Sequence, residues 1–201
     1  MQNNNLVNKK IVVAGTGASG MPILKECLRI IRQTPQYESV LIMSKNGVLT
    51  MEHEMDCKKE EIDKLADYVY GPEETGAGPA SGTYRTAGML IVPCSMKTVA
   101  GICGGYADNL ILRAADVTIK EQRPLVLAAR ETPLSPIHLR NMYELSKMPG
   151  VRIIPPMLTF YQKPESVRDM VFHIAAKLLE PFGIETDGYQ RWEGIPNSCS
   201  K

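Results

Sequence analysis

The sequence predicts a single three-layer α/β domain, one parallel sheet with helices on both faces. Three observations carry this. Short aliphatic and β-branched runs alternate with longer segments whose apolar residues recur at helical spacing, strand then helix, along most of the chain. The short runs are apolar throughout, as strands buried on both faces should be. With 201 residues and no internal repeat, second core or linker, the chain suits one domain of ordinary size.

Each element has a local reason. "KIVVAGTG" is a β-branched run ending in glycines, hence a first strand, and "MPILKECLRIIRQ" follows with a helical stripe of apolar residues. "SVLIMS" is a second strand. "NGVLTMEHEM" predicts a short helix and "KKEEIDKLADYVY" a second helical stretch with a charged face. "GPEETGAGPASGTYRTAG" is rich in Gly, Pro, Ser and Thr and predicts a loop. "MLIVPCS" is a third strand, followed by helices in "MKTVAGICGG" and "ADNLILRAADVTIKE"; "PLVLAAR" is a fourth strand. Ser135 followed by Pro136 opens a helix over "SPIHLRNMYELSKM". "VRIIPP" is a fifth strand, and "PESVRDMVFHIAAKLLEPFG" a helix closed by glycine. The core domain is expected over residues 11–185, between a disordered polar tail at 1–10 and a C-terminal tail at 186–201 that carries the single tryptophan, Trp192.

Composition narrows the function. A net charge of +1 provides no strong field toward nucleic acid or a membrane surface. No apolar run approaches the roughly 20 residues that span a bilayer, and "MQNNNLVNKK" lacks the apolar core of a signal peptide. The cysteines number five, an odd count with no close CxxC pair, which points to reduced thiols, a cytoplasmic protein and no zinc site. His53, His138 and His173 are dispersed, so no metal is expected.

In a parallel sheet of this kind, ligands bind beyond the carboxyl ends of the strands. Polar residues recur at that position: "GTGASG" after the first strand, Ser44 and Lys45 after the second, "PCSMKT" after the third, Arg130 and Glu131 after the fourth, and Pro155, Pro156 and then Tyr161 after the fifth. "GTGASG" lets backbone approach a ligand and offers helix N–H groups to an anion, although a tight strand-to-helix turn also needs small residues. Ser44 stands where a dinucleotide ribose would call for an acidic residue, which favours a mononucleotide. "SMKT" adds hydroxyl, amide and ammonium donors, with Ser95 also suited to capping a helix. Arg113 and Lys120 are two helical turns apart on one face with Asp116 between them, so Asp116 can pair with either. Cys94 reads as a small buried thiol rather than a nucleophile.

"GASG", "PCSMKT", "NLILRAADVTIKEQRPLVLAARETPLSPIHLRNM" and "FYQKPESV" together resemble the UbiX flavin prenyltransferase family, over about residues 11–192 and in that family's order. The resemblance implies a Rossmann-like, flavodoxin-type fold and a metal-independent prenyltransferase. It would join the dimethylallyl group of dimethylallyl phosphate to N5 and C6 of reduced FMN, and the prenylated FMN would serve a UbiD-type decarboxylase. It implies FMN contacts from Gly17, Ala18, Ser19, Ser44, Ser95, Met96, Lys97 and Thr98, with Arg113 at the FMN phosphate. It places Lys120, Arg130, Tyr161 and Lys177 around the dimethylallyl phosphate, with Trp192 closing over the site. Ser19 would relay a proton, Glu54 and Glu131 would be the acid/base carboxylates, and Lys120 would assist departure of the phosphate. It also implies a homododecamer with sites at subunit junctions. Lys177 stands where many relatives carry arginine, which exchanges a planar fork for a point charge. Two other functions fit parts of the pattern. One is a non-catalytic FMN-binding subunit of an aromatic acid decarboxylase. The other is an FMN-dependent cysteinyl decarboxylase, for which His53 would be the early-chain histidine.

Overall fold

The structure, a computed structural model, describes residues 9–195. Most of the expected N-terminal tail, the last residues of the C-terminal tail and Cys199 lie outside them. Six strands form one parallel sheet: β1 Lys9–Gly15, β2 Tyr37–Met43, β3 Tyr68–Tyr70, β4 Gly88–Cys94, β5 Leu125–Ala129 and β6 Val151–Ile153, in the order β3-β2-β1-β4-β5-β6. Seven α-helices connect them: α1 Met21–Arg32, α2 Lys45–Met55, α3 Lys59–Asp63, α4 Met96–Cys103, α5 Leu110–Lys120, α6 Pro136–Ser146 and α7 Val167–Leu179.

The five expected strands are all present, and their order is the flavodoxin one, 2-1-3-4-5. The sixth was not expected. "KKEEIDKLADYVY" forms a helix only as far as Asp63, and Tyr68–Tyr70 then pairs with Val40, Leu41 and Ile42 at the sheet edge. Asp67 anchors this strand, since its carboxylate accepts the backbone N–H and hydroxyl of the buried Ser39 at 2.7 and 3.0 Å. Helix α7 is also shorter than expected and ends in a 3₁₀ turn over Glu180–Phe182.

Side-chain alternation along the strands feeds two cores. Ile11, Val13, Leu41, Leu90 and Val126 face one side, where α1 and α7 bury Leu24, Leu28, Ala175 and Leu178. Val12, Ala14, Ile42, Ile91 and Leu127 face the other, against Val99, Ile102, Leu110 and Ala114 of α4 and α5. Helix α6 starts as read: the Ser135 hydroxyl accepts the His138 N–H, and His138 Nδ1 accepts the Ser135 N–H. The chain reverses between β1 and β4, which lie side by side but leave toward opposite faces, and a crevice opens at their carboxyl ends.

Candidate functional site

The crevice is a cavity of about 290 Å³ lined by the strand-end loops: Thr16 and Gly17 after β1, Ser44 to Asn46 after β2, Ser95, Lys97 and Thr98 after β4, with Asn109 at the start of α5. Three helices point their N-termini into it, each capped by its own side chain. Ser44 Oγ accepts from the Gly47 N–H at 3.0 Å, Ser95 Oγ from Thr98 at 3.4 Å and Asn109 Oδ1 from Leu112 at 3.1 Å. The positive ends of three helix dipoles therefore converge on one volume, which suits an anionic ligand. Thr16 joins the two sides of the switch point: its buried hydroxyl donates to the Pro93 carbonyl at 2.9 Å and accepts the Ser95 N–H at 2.8 Å.

Glycine is required at two places in this cradle. A Cβ on Gly47 would lie 2.6 Å from the Gly15 carbonyl oxygen, and one on Gly17 would lie 2.7 Å from Asn46 Cβ. Backbone thus fills the space that side chains would take, and a flat ring system can lie against it. The donors, the converging helix ends and the glycine cradle fit a phosphorylated flavin.

A second cavity, about 540 Å³, opens on the α1 side and is lined by Ser19, Glu54, Arg130, Pro156 and Ile174 among others. Glu54 projects from α2 onto the start of α1. Its carboxylate accepts the Gly20 N–H at 3.0 Å and the Met21 N–H at 2.9 Å, so it caps a helix whose own N-cap is glycine. That contact also fixes the GASG loop that presents Ser19.

A third cavity, about 360 Å³, adjoins the second through Ile174, which lines both. It brings together Tyr161, Lys177 and Trp192 with His173, Glu180 and Arg191. Tyr161 Oη lies 3.1 Å from His173 Nε2, and the Tyr161 ring meets Trp192 edge-on at 5.5 Å. Glu180 Oε2 accepts from Lys177 Nζ at 2.7 Å and Glu180 Oε1 from Arg191 Nε at 3.1 Å. The Glu180 contact holds the Lys177 ammonium above its ordinary pKa, so it stays charged. Burial pushes the Glu180 carboxyl up, but Lys177 and Arg191 outweigh it and hold the group below the usual carboxylate range.

Within one chain, the residues singled out in the sequence divide among these places. Gly17, Ser44, Ser95, Lys97 and Thr98 line the crevice. The Met96 side chain is buried in the core beneath it, and Ala18 is half-buried in the loop between the first and second cavities. Ser19, Glu54 and Arg130 share the second cavity; Tyr161, Lys177 and Trp192 share the third. Glu131 is exposed, its carboxylate turned back to the Thr132 N–H at 3.0 Å. Arg113 lies along α5, paired with Asp116 at 2.7 Å and donating to the Ala80 carbonyl. Lys120 is at the far end of α5, beyond the amino ends of the strands, and pairs with Glu121 at 2.7 Å. That helix carries it roughly 16 Å from the crevice end. The residues not assigned to a site beforehand are Asn46 and Asn109 at the crevice, and His173, weighed only as a metal ligand, with Glu180 and Arg191 in the third cavity. Asn109, directly before an apolar helical run, carried a readable N-cap signal. The other four are polar groups on helices or in the tail, with no local motif.

The model of the Flavoprotein family matches residues 1–179. The flavin prenyltransferase LpdB of Lactiplantibacillus plantarum is 49% identical over 186 residues, 92% of this chain and 99% of LpdB. The chain belongs to the UbiX-like flavin prenyltransferases of the Flavoprotein family. Two UbiX-like crystal structures share its fold. The FMN-dependent UbiX-like decarboxylase from Escherichia coli, described as dodecameric, is 48% identical with a TM-score of 0.89, covering 92% of this chain and 100% of its own. AnUbiX, in complex with FMN and dimethylallyl pyrophosphate, is 43% identical with a TM-score of 0.90, covering 94% and 99%. A cypemycin decarboxylase, at 16% identity and a TM-score of 0.62, shares the fold alone.

Proposed function

We propose that this chain is a metal-independent flavin prenyltransferase that transfers the dimethylallyl group of dimethylallyl phosphate to N5 and C6 of reduced FMN and releases phosphate. The observation that carries this is adjacency. A helix-ended crevice suited to FMN lies beside a mixed polar and apolar cavity, which shares Ile174 as a wall with a cavity holding two cations and an aromatic cluster. An FMN-binding subunit without catalysis has no need of the second and third cavities. A cysteinyl decarboxylase would use His53, whose side chain is exposed on α2 outside all three.

In this reading reduced FMN supplies the electron-rich ring that accepts the allylic carbon. Gly17, Ser44, Ser95, Lys97 and Thr98 hold it, and the helix ends take its phosphate. Breaking the allylic C–O bond builds negative charge on the phosphate, which Lys177 and Arg130 stabilise, and positive charge on carbon, which the faces of Tyr161 and Trp192 accommodate. Ser19 relays a proton at the ring, and Glu54 holds the loop that carries Ser19 in addition to its expected acid/base role. Lys120 enters the site in an assembly: a neighbouring copy brings the far end of α5 to a cavity its own chain cannot reach, while Glu131 acts from the tip of β5 next to Arg130. The dodecameric Escherichia coli relative and the exposed Ile137, Leu139, Tyr143 and Phe160 support such an assembly. We also propose a cytoplasmic location, with a UbiD-type decarboxylase as recipient of the product. Among the described residues, no helix is long and apolar enough to cross a membrane.

The test is anaerobic incubation of the full chain with reduced FMN and dimethylallyl phosphate, followed by the mass of the released flavin. A gain of one prenyl unit is the expected result. Unmodified FMN, with the diphosphate donor also supplied, would return the chain to flavin carriage.

A further inference from the structure

Lys177 and Arg191 flank the third cavity and both reach one carboxylate, Glu180. The pairs are not equivalent to a closed salt bridge. A lysine ammonium has three N–H donors and a guanidinium five. Glu180 engages one ammonium and, at 3.1 Å each, the Nε and Nη2 of Arg191. Two donors on Lys177 and three on Arg191 remain for a ligand. Glu180 therefore leaves the cavity rich in donors while cancelling one of its two positive charges. It also ties the C-terminal tail, through Arg191, to the 3₁₀ turn that follows α7, which seats Trp192 against Tyr161.

We propose that Glu180 is a specificity-determining residue of the prenyl-phosphate cavity, and that Arg191 is a further cation holding that phosphate, on the tail side opposite Arg130. Glu180 restricts the net charge so that a monophosphate is accepted in preference to a diphosphate. The proposal rests on the prenyltransferase reading for the identity of the ligand, but not for the geometry. A monophosphate dianion meets the five unused donors of Lys177 and Arg191, whose two charges Glu180 reduces to a net +1 on this side of the site. A diphosphate brings further negative charge to within reach of the Glu180 carboxylate, where like charges repel. Removing the Glu180 charge should favour the diphosphate by about tenfold, the effect of one charge a few ångströms away in a partly solvated site.

Trp192 is the only tryptophan, so its fluorescence reports on this cavity directly. The first measurement titrates the FMN-loaded full chain with inorganic phosphate and with pyrophosphate, for the wild type and Glu180→Gln. The expected result is a wild-type preference for phosphate that shifts toward pyrophosphate by about tenfold in the variant. The second compares KM for dimethylallyl phosphate and dimethylallyl diphosphate in the same two proteins, with the same shift expected. Arg191→Gln, on the exposed tail, provides an independent check should Glu180→Gln fail to fold; it should weaken both anions, pyrophosphate more. An unchanged anion ratio in a folded Glu180→Gln protein, or an Arg191→Gln protein that binds both anions as the wild type does, overturns the proposal. Anion-dependent Trp192 signals in a protein that prenylates no flavin would overturn the prenyltransferase reading and leave the charge-selective cavity standing.

Discussion

The crevice at the switch point and the cavity under the C-terminal tail hold ligands by different means. The crevice is built from backbone and short side chains: three capped helix ends, two glycines that admit close approach, and a buried threonine bridging β1 and β4. The tail cavity is built from long side chains, Tyr161, Lys177, Glu180, Arg191 and Trp192, set on a loop, α7, the 3₁₀ turn after it and the tail. Backbone fixed at strand ends makes the first rigid and sets what shape fits. Long charged side chains make the second adjustable and set what charge fits. A scaffold of this kind can keep its flavin crevice and alter its phosphate donor through the tail.

The largest expected effect comes from breaking the rigid half. Gly47→Val places a Cβ 2.6 Å from the Gly15 carbonyl oxygen, so α2 must move off the strand tip. The expected cost is roughly 1–3 kcal/mol of stability, typical of overpacking, together with loss of flavin from the purified protein. Flavin absorbance and a denaturant titration measure the two. Full flavin retention would mean that the helix end is not part of the cradle.

The adjustable half should behave oppositely. Lys177→Ala should slow prenyl transfer by about a hundredfold, the usual scale for a lost donor to developing oxyanion charge, while flavin binding is unchanged. Lys177→Arg should retain most of the rate, because the cavity needs a cation more than a particular shape. Single-turnover mass analysis of the flavin separates these outcomes. If Lys177→Ala also loses flavin, the two cavities are not independent and the contrast between them fails.

How far the site was legible in the sequence follows the same division. The crevice could be read because parallel topology gathers every strand-end loop at one edge, so "GTGASG", Ser44 and "SMKT" had to meet. Beyond that edge, topology and spacing say nothing of cavity membership, and only the family resemblance groups Tyr161, Lys177 and Trp192. Arg113 and Lys120 share a helical face, but the face runs away from the crevice, and Asp116 takes Arg113 while Lys120 takes Glu121. Glu180 and Arg191 are eleven residues apart across a turn and a tail, a separation no periodicity encodes. The edge strand was missed for a similar reason. The charged run before it has helical spacing, whereas what docks "YVY" is tertiary: the bond from Ser39 to Asp67 and the pairing with β2, both beyond the helix end at Asp63.

The smallest effect sharpens the comparison by pH. His173 is 5% exposed and lies between Tyr161, Tyr189, Lys177 and Glu180. Burial lowers its pKa below the ordinary 6.5; Glu180 opposes the shift and Lys177 adds to it. In the window between the depressed folded value and 6.5, the unfolded chain binds the proton and the folded one does not. Stability therefore falls as pH drops through 6.5 and levels off below the folded pKa. Glu180 is held below its ordinary value, under this window, and Lys177 and Tyr189 are both raised, well above it. His173→Gln removes the titration and keeps a partner for Tyr161 Oη. The melting temperature of the wild type should drop by a few degrees more than that of the variant between about pH 7.5 and about pH 5. Parallel pH profiles would mean that His173 is solvated in the folded protein, and that the tail cavity opens far enough to admit water to its aromatic wall.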